Sequence, residues 1–345
     1  KPVLEALDEK GIEAIYLTSS GNDEGLNFKS NYITSKYIGN GMKAYNFLNR
    51  LEADVCAMTT PGLDVLHIRR SKGVKHYCYL PHSPIDLGKY KLYSFDGFDS
   101  IFLTGAYQEK SLRALEELRS SHKKKIFYAG CPYMDEMGAR LSRVKKNMIP
   151  KDNRLKTILL APTWGKNNIL RILSVEQIKK IVSDNYELII RPHPQSYIAE
   201  PELIQNLKDE FEDFSSIKWD DTKDSFESLL RSDLLISSLS GIIFDYAFIF
   251  EKRSIIIEFD YDFTGQEAND LPFAIWDIGM IDKVGLRLSV DEIDLITDKI
   301  SALLNDEDSD NGLTKLRVQN LFNYGKSGKF IANALCEIAE VSKLK

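Results

Sequence analysis

The sequence predicts an α/β protein of two doubly wound, Rossmann-like domains, and three observations carry that expectation. Short β-rich apolar runs alternate with helical patterns along the chain, the signature of βα units that build parallel sheets. The 345 residues leave room for two domains at roughly 100–200 residues each. The composition, 43% hydrophobic and 28% charged with 20 Gly and 11 Pro, is that of a chain able to bury a core, unlike a disordered or fibrous one.

In the first half, strands are expected at residues 12–17, 54–58, 76–80, 100–103 and 125–129, with helices at 3–9, 42–51 and 107–119. An amphipathic helix begins near Met134. The polar stretch 145–156, which contains Pro150 and Asp152-Asn153, marks the boundary. The expected domains are residues 1–148 and 149–345. In the second, strands fall at 157–160, 186–190, 216–219, 234–236 and 254–259, and helices near 175–183, 202–211, 225–231 and 242–250. After about Ser289 the pattern is helical, at 290–304, 313–322 and 330–341, with an acidic loop at 305–311. These terminal helices are expected to cross back to the first domain.

A formal net charge of −6, from 45 basic and 51 acidic residues, argues against a protein whose main business is coating nucleic acid. Residues 1–150 carry a basic excess and residues 151–345 an acidic one. A basic half suits an anionic bilayer or a phosphate-rich acceptor; solvated charge without a partner is the competing reading. No run approaches the ~18 apolar residues of a membrane-spanning helix, and no signal segment opens the chain. A soluble or peripheral, cytoplasmic protein is expected. Because the chain opens at Lys1-Pro2-Val3 inside a helical pattern, a preceding strand or anchor is expected as well. Cysteines 56, 78, 131 and 336 show no C-x-x-C spacing and read as reduced thiols.

Ligands of open parallel sheets bind beyond the carboxyl ends of the strands, and three segments answer to that place. In Leu80-Pro81-His82-Ser83-Pro84 the prolines narrow the backbone around His82, as a fixed general base requires. In Leu188-Ile189-Ile190-Arg191-Pro192-His193-Pro194 an apolar, central strand delivers Arg191, whose donor fork matches phosphate, together with His193. The competing reading pairs Arg191 with a carboxylate and leaves His193 as a turn. In Ser237-Ser238-Leu239-Ser240-Gly241 a strand gives way to a helix whose first amides suit a pyrophosphate, although a plain cap by Ser240 accounts for the same letters. Ala161-Pro162-Thr163-Trp164-Gly165-Lys166 is a fourth, weaker segment, in which Lys166 adds a positive charge. His67, His76 and His122 are read as structural or exposed. There is no G-x-S-x-G, G-x-G-x-x-G or H-E-x-x-H motif. Gly325-Lys326-Ser327 has the tail of a P-loop, but Asn320 stands where its first glycine belongs.

Taken together these segments resemble the CDP-glycerol glycerophosphotransferase family, the teichoic acid polymerases and primases. The opening 2–19 is similar to the family's first helix and strand, and His82 to its N-terminal histidine motif. Gly130-Cys131-Pro132-Tyr133-Met134-Asp135 resembles its G-x-P-x-x-D, Ala161-Pro162-Thr163-Trp164 its A-P-T-W, and Arg191-Pro192-His193-Pro194 its R-x-H-P. The likeness continues from Ser232-Asp233 through Ser240 into Ile242-Ile243-Phe244-Asp245-Tyr246. Ser83 replaces the family's Gly after the histidine, and Ser238 and Gly241 replace an Asp and a Ser of its T-D-Y-S-S.

The resemblance implies a GT-B-type architecture with an acceptor site on the first domain and a nucleotide-donor site on the second. The implied reaction moves glycerol phosphate, or a related polyol phosphate, from a CDP-linked donor to a hydroxyl of a cell-surface polymer or its lipid-linked precursor, releasing CMP. His82 is then the general base. His193 and Arg191, with Ser240-Gly241, hold the pyrophosphate, and Thr163, Lys166, Ser237, Ser238 and Asp245 complete the donor site. No metal, cofactor or nucleic acid is expected, and the place of work is the inner face of the plasma membrane, in peripheral contact with it. The alternatives are a GT-B glycosyltransferase using a UDP- or CMP-sugar and a non-catalytic polymer-binding relative.

Overall fold

The computed structural model describes residues 1–65, 67–146, 154–183, 186–305 and 312–343. Residues 147–153 of the expected boundary and 306–311 of the expected acidic loop lie outside them. The chain divides into two compact units. The first comprises Lys1–Ala139, Phe263–Trp276 and Val318–Lys345, and the second Arg140–Asp262 and Asp277–Arg317.

The first unit runs α1 (Pro2–Glu9), β1 (Ala14–Thr18), β2 (Ile33–Tyr37), α2 (Gly41–Leu48), β3 (Glu52–Met58), β4 (Gly73–Tyr79), β5 (Ser100–Leu103), α3 (Ala106–Leu118), β6 (Lys125–Tyr128) and into α4 (Pro132–Lys145). β1 and β2 form a separate parallel pair, while β3-β4-β5-β6 make a four-stranded parallel sheet in sequence order. Strand alternation sorts its two faces. Cys78, Leu80, Phe102 and Ala129 meet Ile331, Ala334, Leu335 and Ile338 near the chain's end. Tyr77, Tyr79, Ile101 and Leu103 pack with Phe95, Phe98 and Leu112 on the other face.

The second unit continues with β7 (Thr157–Leu160), α5 (Val175–Ser183), β8 (Glu187–Ile190), α6 (Ser196–Ala199), α7 (Pro201–Glu210), β9 (Ile217–Trp219), α8 (Phe226–Arg231), β10 (Leu234–Ser237), α9 (Gly241–Phe248), β11 (Ser254–Glu258), α10 (Trp276–Val284), β12 (Gly285–Ser289) and α11 (Ile296–Leu304), and the unit boundary after Arg317 falls within α12 (Leu313–Asn320). The last helix, α13 (Ser327–Lys343), supplies the residues that cover the first sheet. The terminal helices therefore part company: α13 packs in the first unit, whereas Ile296 and Ile300 of α11 sit in the core of the second. β7, β8 and β10 are almost wholly apolar and buried, as strands covered on both faces must be. Sheet order is β12-β11-β10-β7-β8-β9. The chain builds outward from β7 in one direction and returns to lay β10 on its other side, so the topological switch falls between β7 and β10.

Two expectations change meaning here. Asp135 of the G-x-P-x-x-D segment caps α13: it accepts hydrogen bonds from the amides of Gly325 (2.7 Å) and Ser327 (2.6 Å) and from Ser327 Oγ (3.0 Å). Gly130, at φ +88°, lies against the Phe322 carbonyl and Ser327 Oγ, where a Cβ would collide. The P-loop-like tail is thus a helix start already occupied by a carboxylate.

Candidate functional site

His82 follows β4 and is exposed. The loop that carries it is pinned from α3, where Tyr107 Oη donates to the Pro84 carbonyl and Gln108 Nε2 to that of Ile85, the latter at 2.7 Å. Asp86, 1% exposed, accepts the amides of Gly88 (2.8 Å) and Trp276 (3.1 Å), and Trp276 stacks on Tyr107 at 3.9 Å. The imidazole faces two tyrosines, Nδ1 at 3.4 Å from Tyr79 Oη and Nε2 at 3.4 Å from Tyr90 Oη. Burial by this aromatic wall lowers its pKa below the ordinary 6.5, opposed by the Thr59 backbone carbonyl. His76 instead bonds Ser100 Oγ at 2.7 Å, and His67 stacks on Tyr45, as expected of structural histidines.

In the second unit the loops after β7, β8 and β10 carry the expected donor-site residues on three adjacent strands. Thr163 and Ser238 meet at the switch point, Oγ1 to Oγ 2.9 Å, and Thr163 also donates to the Asn167 carbonyl at 3.0 Å. Ser237 donates to the Ala161 carbonyl at 2.6 Å. The buried serines Ser237 and Ser238 therefore tie the β7 and β10 loops together. Ser240 is the N-cap residue of α9 with no side-chain cap bond of its own, which leaves the first amides from Gly241 onward unspent by it. Asp245 lies half-buried in the next turn. Lys166 is exposed and pairs with Asp262 at 2.9 Å.

His193 is exposed, and its Nδ1 accepts the Gln195 amide hydrogen at 3.1 Å. In the neutral ring the proton therefore resides on Nε2, which is left as the ring's donor. Burial lowers its pKa. Trp164, 48% exposed, lies 6.5 Å from this ring, centroid to centroid. Arg191 follows the competing reading: its guanidinium is paired with Asp220 at 2.6 Å, with further bonds to Thr222 Oγ1 and the Lys223 carbonyl, both at 3.3 Å. Those contacts fasten the β8 and β9 loops to one another.

Glu200, 5% exposed, escaped the sequence reading. It accepts from Gly165 N (3.1 Å), Asn168 Nδ2 (3.0 Å) and Ser196 Oγ (3.1 Å) on one oxygen and from Arg171 Nε (2.7 Å) on the other. Burial pushes its pKa up, but the four donors outweigh it and hold the carboxylate below its ordinary range. The position before Pro201 at a helix start was the signal available. Among the described residues no group of three or more His, Cys, Asp or Glu is placed to hold a metal ion.

Parallel sheets in both units, with loops at strand carboxyl ends carrying the polar residues and an order reversal in the second sheet, define a GT-B-type protein. The wall teichoic acid polymerase TagF shares the fold at TM-score 0.62 with 15% identity, over 97% of this chain and 91% of that one. A second TagF structure, soaked with CDPG, gives 0.60 at 16% identity, over 100% and 85%. UDP-GlcNAc 2-epimerase of Methanocaldococcus jannaschii gives 0.62 at 17% identity, over 97% and 95%. The chain belongs to the CDP-glycerol:poly(glycerophosphate) glycerophosphotransferase family, whose model matches residues 91–268. A curated relative, the teichoic acid poly(glycerol phosphate) polymerase of Bacillus spizizenii, is 28% identical over 173 residues, which is 46% of this chain and 40% of the relative's length.

Proposed function

We propose that the protein transfers glycerol phosphate from CDP-glycerol to a hydroxyl of a cell-surface polymer or its lipid-linked precursor, releasing CMP. The observation that carries this reading is that the histidines of two family-like motifs, His82 and His193, each stand exposed beyond the carboxyl end of a parallel strand, with rings held neutral near pH 7 by lowered pKa values. A neutral imidazole is what a general base must be. His82 takes the proton of the attacking hydroxyl. The oxygen bonds to the phosphorus bearing glycerol, and the bond to CMP breaks with its electron pair leaving on CMP. His193 Nε2–H and the amides at the start of α9 are the donors assigned to the charge that gathers there. Thr163, Ser237 and Ser238 shape that site, Lys166 and Asp245 flank it, and Arg191 holds the His193 turn through Asp220.

No helix among the described residues is long and apolar enough to cross a membrane. A lipid-linked acceptor places the work at the inner membrane surface, where the basic excess of residues 1–150 meets anionic lipid. The fold likeness to UDP-GlcNAc 2-epimerase is as close as that to TagF, which keeps a UDP-sugar in the test. Incubation with CDP-glycerol, CDP-ribitol, UDP-GlcNAc and a CMP-sugar, with released nucleotide read by chromatography, separates the readings. Release of CMP from CDP-glycerol is expected, and release of UDP alone contradicts the proposal.

A further inference from the structure

The ion pair between Lys166 and Asp262 joins two loops whose strands are not neighbours. Lys166 follows β7 and Asp262 follows β11, and in the sheet order β11-β10-β7 the strand β10 lies between them. Two inter-strand spacings put the outer strands about 10 Å apart. The loop between theirs is the one that leads from β10 into α9, with Ser240 and the amides from Gly241 onward. Lys166 Nζ and Asp262 Oδ2 stand 2.9 Å apart, so the pair links the two flanks of the β10 carboxyl end, where ligands of such sheets bind.

The backbone under Lys166 is fixed and its side chain is not. Lys166 sits on a single 3₁₀ turn, Gly165–Asn167. The Gly165 amide donates to Glu200 at 3.1 Å, and the Asn167 carbonyl accepts from Thr163 Oγ1 at 3.0 Å. Thr163 in turn meets Ser238 Oγ at 2.9 Å, which holds this turn against the β10 loop. The four-carbon stem of the lysine is the part left to swing. Its side chain is 69% exposed and that of Asp262 49%, and an ion pair in that much water is weak enough to yield to a stronger anion. The loop after β11 carries two exposed acids, Asp260 and Asp262, and a carboxylate beside α9 opposes the anion that the α9 amides attract.

We propose that Asp262 competes with the diphosphate of the nucleotide donor for Lys166, which makes it an affinity-setting residue: each donor bound displaces one Lys166–Asp262 pair. The identity of the donor rests on the transfer reading above, whereas the exchange requires only a nucleoside diphosphate. Lys166 then adds its charge to the amides of α9 when the donor is bound, and Asp262 takes the ammonium back when the nucleotide leaves. The exchange moves one side chain and no backbone.

The test is calorimetric titration of the full chain with CDP-glycerol and with UDP-GlcNAc, for the parent, Asp262→Asn, Lys166→Gln and the double variant. Asn keeps the shape of Asp262 and removes its charge. Asp262→Asn is expected to bind the donor about 2- to 5-fold more tightly, the worth of an exposed ion pair. Lys166→Gln is expected to bind it about 10-fold more weakly, the loss of one charged hydrogen bond. In the Lys166→Gln background the gain from Asp262→Asn is expected to vanish, because nothing is left to compete for, and Asp262→Glu alone is expected to bind as the parent does. Parental or weaker affinity in Asp262→Asn overturns the inference. So does an undiminished gain without Lys166, which would make Asp262 a repelling charge and not a competitor. If the expected pattern holds for UDP-GlcNAc while CDP-glycerol neither binds nor releases CMP, the exchange stands and the transfer reading falls; binding of neither overturns the exchange.

Discussion

His82 and His193 share one electrostatic situation: each lies at the mouth of a strand, and surrounding protein lowers its pKa below 6.5 by making the charged ring costly to solvate. For a base the sign is definite. The acid limb of kcat/KM should descend as pH falls through the His82 pKa, below pH 6.5, and the profile should stay level above it as far as these rings govern it. A rate that instead falls as pH rises through 6.5 would make the histidine an acid and reverse its role. Arg191 shows where residue-scale reading divides. Its letters fit phosphate recognition equally well, but Asp220 claims the guanidinium, both side chains being about 10% exposed. Arg191→Ala should then cost about 3 kcal/mol of stability, because it strands a mostly buried carboxylate. Urea denaturation reads this, and an unshifted midpoint with weakened donor binding would return the arginine to the phosphate.

At the scale of elements, two carboxylates do work that no local pattern announces. Asp135 starts α13 from 192 residues away in sequence, so Asp135→Ala removes a helix cap and leaves buried amides unpaired. A loss of about 1–3 kcal/mol is expected, and a denaturation midpoint within error of the parent's would refute the capping role. Glu200 ties the A-P-T-W loop to α6. Since its folded pKa is depressed, its contribution is present above the unfolded carboxylate range and fades as pH drops through the folded value. Glu200→Ala should raise hydrogen exchange at residues 163–168 while leaving β7 protected, and equal exchange in both proteins would show the loop to be held otherwise. The strands and helices that the sequence disclosed are those with continuous apolar runs, β5, β7, β8 and β10 above all. β2 escaped because it is a five-residue strand with one buried side chain, Ile33. β12 escaped because it is five residues long with only two apolar side chains, Leu286 and Leu288, of which one is buried, and α10 because its buried stripe includes an acid, Asp277.

For the molecule as a whole, the alternation of βα units revealed two α/β units with parallel sheets, but not their membership, nor that the first sheet runs in sequence order without the reversal of a doubly wound one and leaves β1 in a separate pair. Residues 263–276 and 318–345 join the first unit through contacts that sequence distance conceals: Gly130 and Asp135 receive the segment before α13, and Asp86 receives Trp276. The candidate site was legible to the extent that its chemistry follows directly on a strand, as for His82, His193 and Ser240. It was illegible where a side chain serves by bracing another, as for Glu200 and Asp220.

The most direct test pairs two readings on His82→Ala: CMP released from CDP-glycerol in a single turnover with acceptor present, and CDP-glycerol affinity by calorimetry. Loss of a general base predicts release slower by about 10²–10⁴-fold with affinity unchanged. Release at the parental rate contradicts the account.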